Sequence, residues 1–258
     1  MGEWIQFEQR EKIAVLTLNR PEAANALSKR LLLDLKKLLQ TMRDRNDVQT
    51  VIITGSGPFF CAGADLKERK GMEVEEVKQA VQLIRSAINE VENLPQPTIA
   101  AINGAAMGGG LELALACDIR IAAQDAKLGL TETSLGIIPG AGGTQRLPRL
   151  IGKGKAKELI FSARKISGAE AETIGLVEYA VEAEQVLDRA LGLAKEFVEN
   201  APLSLRQAKV AINQGMDTEI TTGLKMEELA YNALLNSSDR LEGLRAFQEK
   251  RRPRYTGR

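Results

Sequence analysis

Three short apolar runs set the frame for this chain: TVIITGSG (50–57), TIAAING (98–104) and DIRIAA (118–123). The first two lack the in–out alternation of a half-exposed strand, so they predict strands buried on both faces. Between them lies a helical pattern, 74–93, with Val77, Val81, Ile84, Ile88 and Val91 on one side and Pro95 and Pro97 as its stop. Strands alternating with helices at this spacing specify an α/β core. Upstream, EWIQFEQ and KIAVLTLN alternate and predict a hairpin turning at Arg10 and Glu11. A loop at 21–25 then leads to a helix that Ser28 caps, with Leu31, Leu32, Leu35, Leu38, Leu39 and Met42 in one stripe.

The pattern changes near Ile151. From there helices dominate, and 177–181 is the only strand expected. Four helical stretches follow, at 185–200, 202–214, 218–236 and 239–250. They predict a C-terminal helical subdomain. No internal repeat is present.

The absence of histidine from all 258 residues removes Ser-His-Asp and Cys-His catalysis and any zinc site of ordinary composition. Acid–base chemistry is left to carboxylates, Lys, Tyr or water. Cys61 and Cys117 are too few and too far apart for a disulfide framework or a metal site, and predict two reduced thiols in a cytosol-like compartment. The charged start MGEWIQFEQREK predicts no signal peptide. The apolar region 98–123 is broken by Asn103, Glu112, Asp118 and Arg120 and is not a membrane span. A net charge of +1 argues against a dedicated polyanion binder. The basic tail, 249–258, is expected to be a solvated end.

Three segments carry chemistry. In CAGADLKE, Gly63 and Ala64 let a ligand approach backbone N–H groups. In GGGLE, Gly108 to Gly110 precede a helix whose first N–H groups lack partners and favour negative charge. Two such amides converging on one point would form an oxyanion hole. The third segment, 130–152, holds Glu132 and a second glycine loop, 140–143. Glu112 and Glu132 are isolated acids that an α/β fold permits to face each other. Two carboxylates in one small site split their proton affinities, so that one gives a proton while the other takes one. The structural alternatives are a Glu112 paired with Arg120 or Arg146 and a Glu132 that merely starts a helix. Asp65 is expected to cap a turn, Asp118 to tie a strand end, and Lys67, Glu68 and Arg69 to form a solvated face.

CAGADLKE, NGAAMGGGLELALACDIRIA and ETSLGIIPGAGGTQRLPRLIG together resemble the enoyl-CoA hydratase (crotonase) superfamily, and the resemblance runs through nearly the whole chain. GADLKER, AKELIFSAR, AINQGM and DRLEGLRAFQEKRRPRYTG are similar to its methylglutaconyl-CoA hydratase branch, which also binds AU-rich RNA. The resemblance implies a spiral of ββα turns over residues 1–195. A C-terminal helical region, 196–258, would drive trimer formation, and two trimers would stack as a hexamer. It also implies an enzyme of fatty-acid or branched-chain (leucine) catabolism, which the expected lack of a targeting sequence would leave cytoplasmic. Such an enzyme adds water across a trans-2-enoyl-CoA to give a 3-hydroxyacyl-CoA. Coenzyme A is then the substrate carrier, and no further cofactor or metal is implied.

Residue by residue, the resemblance assigns Ala64 and Gly109 to the two oxyanion N–H donors. Glu112 activates the water, Glu132 protonates the α-carbon, and Gly140 lines the water site. Coenzyme A is implied to lie along Ala24, Ala26, Leu27, Ala62, Ala64, Asp65 and Leu66, with Tyr231, Phe247 and Lys250 supplied by a neighbouring subunit. The loop Glu22-Ala23-Ala24 departs from the pattern, because the lysine or arginine often found there is missing. The acyl pocket is expected between 70–84, Ile137, Ile138 and the C-terminal helices. A dicarboxylic acyl group would want a cation from among Lys67, Arg69, Lys70 and Arg85.

Two other functions fit parts of the chain. An isomerase on the same fold moves a proton and manages with one carboxylate, so Glu112 counts against it. RNA binding would use Lys29, Arg30, Lys36, Lys37, Arg43 and Arg45 on the first helix, but Asp34, Asp44 and Asp47 interrupt that face and leave RNA a poor primary partner.

Overall fold

The computed structural model describes residues 4–258. The chain opens with the hairpin β1 (Ile5–Arg10) and β2 (Ile13–Leu18), antiparallel in register Ile5↔Leu18. Helix α1 (Lys29–Arg43) follows, and the Ser28 hydroxyl accepts from the Leu31 N–H at 3.3 Å. Its leucine stripe is buried as the spacing predicts, with Leu31, Leu32, Leu35, Leu39 and Met42 in the core.

Three ββα turns come next. The first is β3 (Thr50–Gly55), β4 (Phe59–Cys61), the short α2 (Leu66–Arg69) and α3 (Val74–Glu92). The second is β5 (Thr98–Ile102), β6 (Ala105–Met107) and α4 (Gly109–Leu115). The third is β7 (Ile119–Ala123), β8 (Lys127–Gly129), α5 (Gly143–Ile151) and α6 (Lys153–Ser162). The chain then passes through β9 (Ile166–Ser167), α7 (Gly168–Thr173) and β10 (Tyr179–Val181) to α8 (Val186–Val198), α9 (Pro202–Gly215), α10 (Ile220–Asn232) and α11 (Ser238–Gln248).

The first strand of each turn enters a six-stranded sheet of order β1-β2-β3-β5-β7-β10, parallel from β2 onward. Its strands sort their side chains between two cores. Val51, Ile53, Ala100, Ile102 and Ala122 join the core that α1, α3 and α4 complete. Ile52, Ile99, Ala101, Ile121 and Ala123 pack against Val186, Ala190 and Ala194 of α8. Burial on both faces is why these runs carry no polar alternation.

The second strand of each turn enters a four-stranded sheet of order β4-β6-β8-β9. This sheet is not legible in the sequence. Its strands are two or three residues long, too short to show any period, and β9 adds a strand to a region where only 177–181 is expected. Its consequence is functional: α2 and α4 both begin just beyond the ends of adjacent strands β4 and β6.

Asp118 ties more than a strand end. Its Oδ2 accepts from the Thr98 N–H at 2.7 Å and lies 2.8 Å from the Lys209 ammonium, which anchors α9 to the sheet. The tail is not a free solvated end. Buried Asp239 accepts from the Thr256 and Gly257 N–H groups, and Arg251 pairs with Glu242 and Glu249. The basic residues of α1 and the turn after it are partly spoken for: Lys36 pairs with Glu90 at 2.8 Å, Arg30 lies over the Trp4 ring, and Arg45, just past the helix, pairs with Asp47. Both thiols are buried, which pushes each up to about 12. Among the described residues, no helix is long and apolar enough to cross a membrane.

Candidate active site

A cavity of about 160 Å³ lies where the ends of β4 and β6 meet the loops after β8. Gly63, Ala64, Gly108, Gly109, Glu112, Glu132 and Gly140 all line it. These residues come from three separate ββα turns, so the spiral is what gathers them.

The backbone at the β6–α4 junction is specialised. Gly108 takes φ 48° and ψ −122°, a conformation that a side chain would strain. That bend starts α4 at Gly109. A Cβ built on Gly109 would stand 3.7 Å from the Ala64 nitrogen, so the two amides are neighbours. Among the described residues, neither the Ala64 nor the Gly109 N–H donates to the protein. Opposite Ala64, the Leu27 N–H donates to the Gly63 carbonyl at 2.7 Å and holds that loop.

Glu112, on the first turn of α4, is 3 % exposed. Neither arginine proposed from sequence pairs with it: Arg120 binds Glu178, and Arg146 binds Glu92. Instead its Oε1 accepts two backbone N–H groups, from Ala141 and Gly143, each at 2.8 Å. Arg85 and Arg146 brace that loop by donating to the carbonyls of Gly140 and Ala141. Burial raises the Glu112 pKa, and the two amides and the two arginines pull against that rise. The glycine loop therefore does more than line the cavity. Its amides steady the charged form of Glu112, a role for Ala141 and Gly143 that is missing from the sequence reading.

Glu132 opens a single 3-10 turn, Glu132–Leu135, after β8. Its Oε2 is buried without a hydrogen-bond partner, and a Cβ on Gly108 would reach its Oε1 at 3.0 Å. Burial pushes Glu132 up to about 7 against the pull of its own backbone N–H, and the charge of Glu112 adds to the rise. Two acids of one cavity thus differ in kind. Glu112 is held by two donors from the glycine loop that favour the carboxylate, whereas Glu132 keeps one oxygen buried without a partner and favours the carboxylic acid.

The remaining expectations divide. Ala62 and Leu66 line the same cavity, while Leu27 and Asp65 line an adjoining pocket of about 280 Å³. Asp65 caps α2 as expected: its Oδ1 accepts from the Lys67 and Glu68 N–H groups and its Oδ2 from Arg20. Ala26 is buried, and the Ala24 carbonyl receives the Ala62 N–H at 2.9 Å. Tyr231 on α10, Phe247 on α11 and Lys250 in the turn after it are exposed and line neither pocket. Val81, Ile84, Leu135, Ile137 and Ile138 form the apolar wall, and among the described residues that line the cavity none comes from the C-terminal helices. Arg69 departs from the solvated face expected of it and lines both pockets. A larger depression, about 940 Å³, runs open along α3 and contains neither glutamate.

The whole of residues 8–258 matches the family model described as enoyl-CoA hydratase/isomerase. The chain is 55 % identical over 255 residues to the mitochondrial methylglutaconyl-CoA hydratase of Mus musculus, covering 97 % of this chain and 81 % of that protein. It is 47 % identical over 252 residues to the enoyl-CoA isomerase/hydratase fer4 of Mycosarcoma maydis, covering 94 % and 92 %. The crystal structure of an enoyl-CoA hydratase from Bacillus anthracis superposes with a TM-score of 0.98 at 51 % identity, covering 99 % of this chain and 100 % of that one.

Proposed function

Because the chain belongs to the enoyl-CoA hydratase/isomerase family of the crotonase superfamily, we propose that it hydrates trans-2-enoyl-CoA thioesters to 3-hydroxyacyl-CoA. The observation that carries this is the pair of unlike carboxylates beside two unengaged amides. In the proposed reaction the Ala64 and Gly109 N–H groups receive the thioester oxygen. That draws electrons from the conjugated double bond and leaves C3 electrophilic. Glu112 takes one proton from water as its oxygen bonds to C3. The π electrons pass to an enolate on the thioester, and Glu132 delivers its proton to C2. Water is added whole: hydroxyl to C3, proton to C2. The protonated Glu112 and ionised Glu132 then exchange protons with solvent. Gly140 bounds the water's side of the cavity.

A hydratase needs both acids, and an isomerase only one. The elaborate support of Glu112 by two amides favours hydration. The test follows loss of enoyl absorbance with crotonyl-CoA and identifies the product. A 3-hydroxyacyl-CoA is expected, and a shifted double bond with no hydroxyl would overturn the reading. Glu132 must be protonated to act, so kcat/KM should fall about tenfold per pH unit above about 7. The raised Glu112 sets the acid limb, where its carboxylate is lost as pH falls.

Relatives named as methylglutaconyl-CoA hydratases make a branched, carboxylated enoyl thioester a natural second substrate, with a place in leucine catabolism. In this reading residues 1–195 carry the site and 196–258 carry association. Ile212 of α9, Met216 at its C-cap, and Ile220, Leu224 and Leu229 of α10 are exposed on the single chain, an apolar set that a neighbouring subunit would cover. Sedimentation should give a trimer or hexamer. A monomer at micromolar concentration would remove the proposed role of Tyr231, Phe247 and Lys250 at a neighbour's coenzyme A.

A further inference from the structure

Arg69 is the only cation among the described residues that line the cavity of the paired glutamates. Its position is set by α2. Asp65 caps that helix and is itself gripped by Arg20 at 2.5 Å, so the single turn delivers Arg69 inward. The arginines nearby are committed elsewhere: Arg20 to Asp65, Arg85 to the Gly140 carbonyl, Arg146 to Glu92. Among the described residues, the Arg69 guanidinium makes no hydrogen bond or ion pair, and only the Arg69 backbone is engaged, within the α2 turn. Burial pushes its pKa down, and the charge of Glu112 pushes the other way. The wall beside it is hydrocarbon, from Leu66, Val81, Ile84 and Ile138.

A guanidinium kept half out of water, against apolar side chains and without a partner, costs stability. A purely hydrocarbon acyl chain would cover it and add to that cost. An acyl group with a carboxylate of its own would satisfy it through paired N–H···O contacts. Of the four cations nominated from sequence, Lys67 and Lys70 line neither pocket and Arg85 is engaged with Gly140. We propose that Arg69 is the specificity-determining residue of this enzyme, receiving a carboxylate on the acyl group and selecting thioesters of dicarboxylic enoic acids. This rests on the hydratase reading above. Glu112 and Glu132 face the same cavity, and the neutral form of Glu132 limits their repulsion of the incoming anion.

The experiment measures kcat/KM for 3-methylglutaconyl-CoA and crotonyl-CoA with wild type, Arg69→Gln and Arg69→Lys. The ratio of the two constants is read, since it cancels any change at Glu112 and any contact with coenzyme A, which both substrates carry. Wild type should favour the carboxylated substrate. Arg69→Gln should lower the ratio about 30- to 100-fold, the value of a charge-assisted contact, and Arg69→Lys should restore part of it. An unchanged ratio, or equal losses on both substrates, overturns the proposal and leaves a structural or coenzyme A role. Should Arg69→Gln fail to fold, a wild-type and Arg69→Lys ratio that are the same overturns it too. Wild type active on crotonyl-CoA alone refutes the carboxylate reading while the hydratase reading stands. Wild type inactive on both refutes the hydratase reading first.

Discussion

Glutamine in place of Glu112 is expected to lower kcat for crotonyl-CoA hydration by about 10³-fold, within the range of a single acid–base group. The substitution is nearly isosteric, and a glutamine oxygen still accepts the Ala141 and Gly143 N–H groups that hold Oε1 at 2.8 Å. The side chain therefore stays in place and the fold should survive. What is lost is basicity, since an amide cannot take a proton from water. The two amides that steady the carboxylate are wasted on a neutral group. Double-bond migration, if the enzyme has any, needs only Glu132 and should fall much less. Hydration within tenfold of wild type would refute the assignment of Glu112 as base.

The second large effect concerns folding. Gly110→Ala is expected to destabilise the protein by about 3 kcal/mol or more, the upper range for overpacking a core. A Cβ at Gly110 would lie 2.1 Å from the Cys61 carbonyl oxygen and 2.8 Å from its carbon. Both are backbone atoms of β4, so no rotamer change relieves the clash. Only separating α4 from β4 would, and that same movement parts the Gly109 amide from the Ala64 amide. Activity should drop even in the fraction that folds. Gly154→Ala on α6 is the control: nothing lies within 4 Å of its Cβ, and a gain of about 0.4–1 kcal/mol is expected from reduced freedom of the unfolded chain. Urea denaturation of the two variants reads the difference. Equal midpoints would mean that α4 is not pressed on β4.

These cases mark how far local sequence reaches. The buried strands, the leucine stripe of α1 and the stop at Pro95 and Pro97 follow from period and propensity, because each depends on neighbours within one element. The two glutamates and the glycine runs were also legible, since an acid or a bare backbone at an apolar helix start is a local cost that invites a reason. The small sheet was not: β4, β6 and β8 have three residues each, and a strand that short exists only through its partners. Nor was the inward turn of Arg69, which in KER looks like any solvated charge until Asp65 and Arg20 orient the helix that carries it.

The sequence by itself determined the α/β class, the main elements and the residue types able to do acid–base chemistry. The tertiary structure alone decided how the two acids differ. Glu112 and Glu132 are the same side chain, and what sets their proton affinities apart lies mostly far along the chain. Amides 29 and 31 residues downstream hold Glu112, while burial beside Gly108 and the charge of Glu112 raise Glu132, whose Oε2 has no partner. Proton affinity is set by charges and dipoles within a few ångströms, and only folding brings residues from three turns of the spiral to that distance.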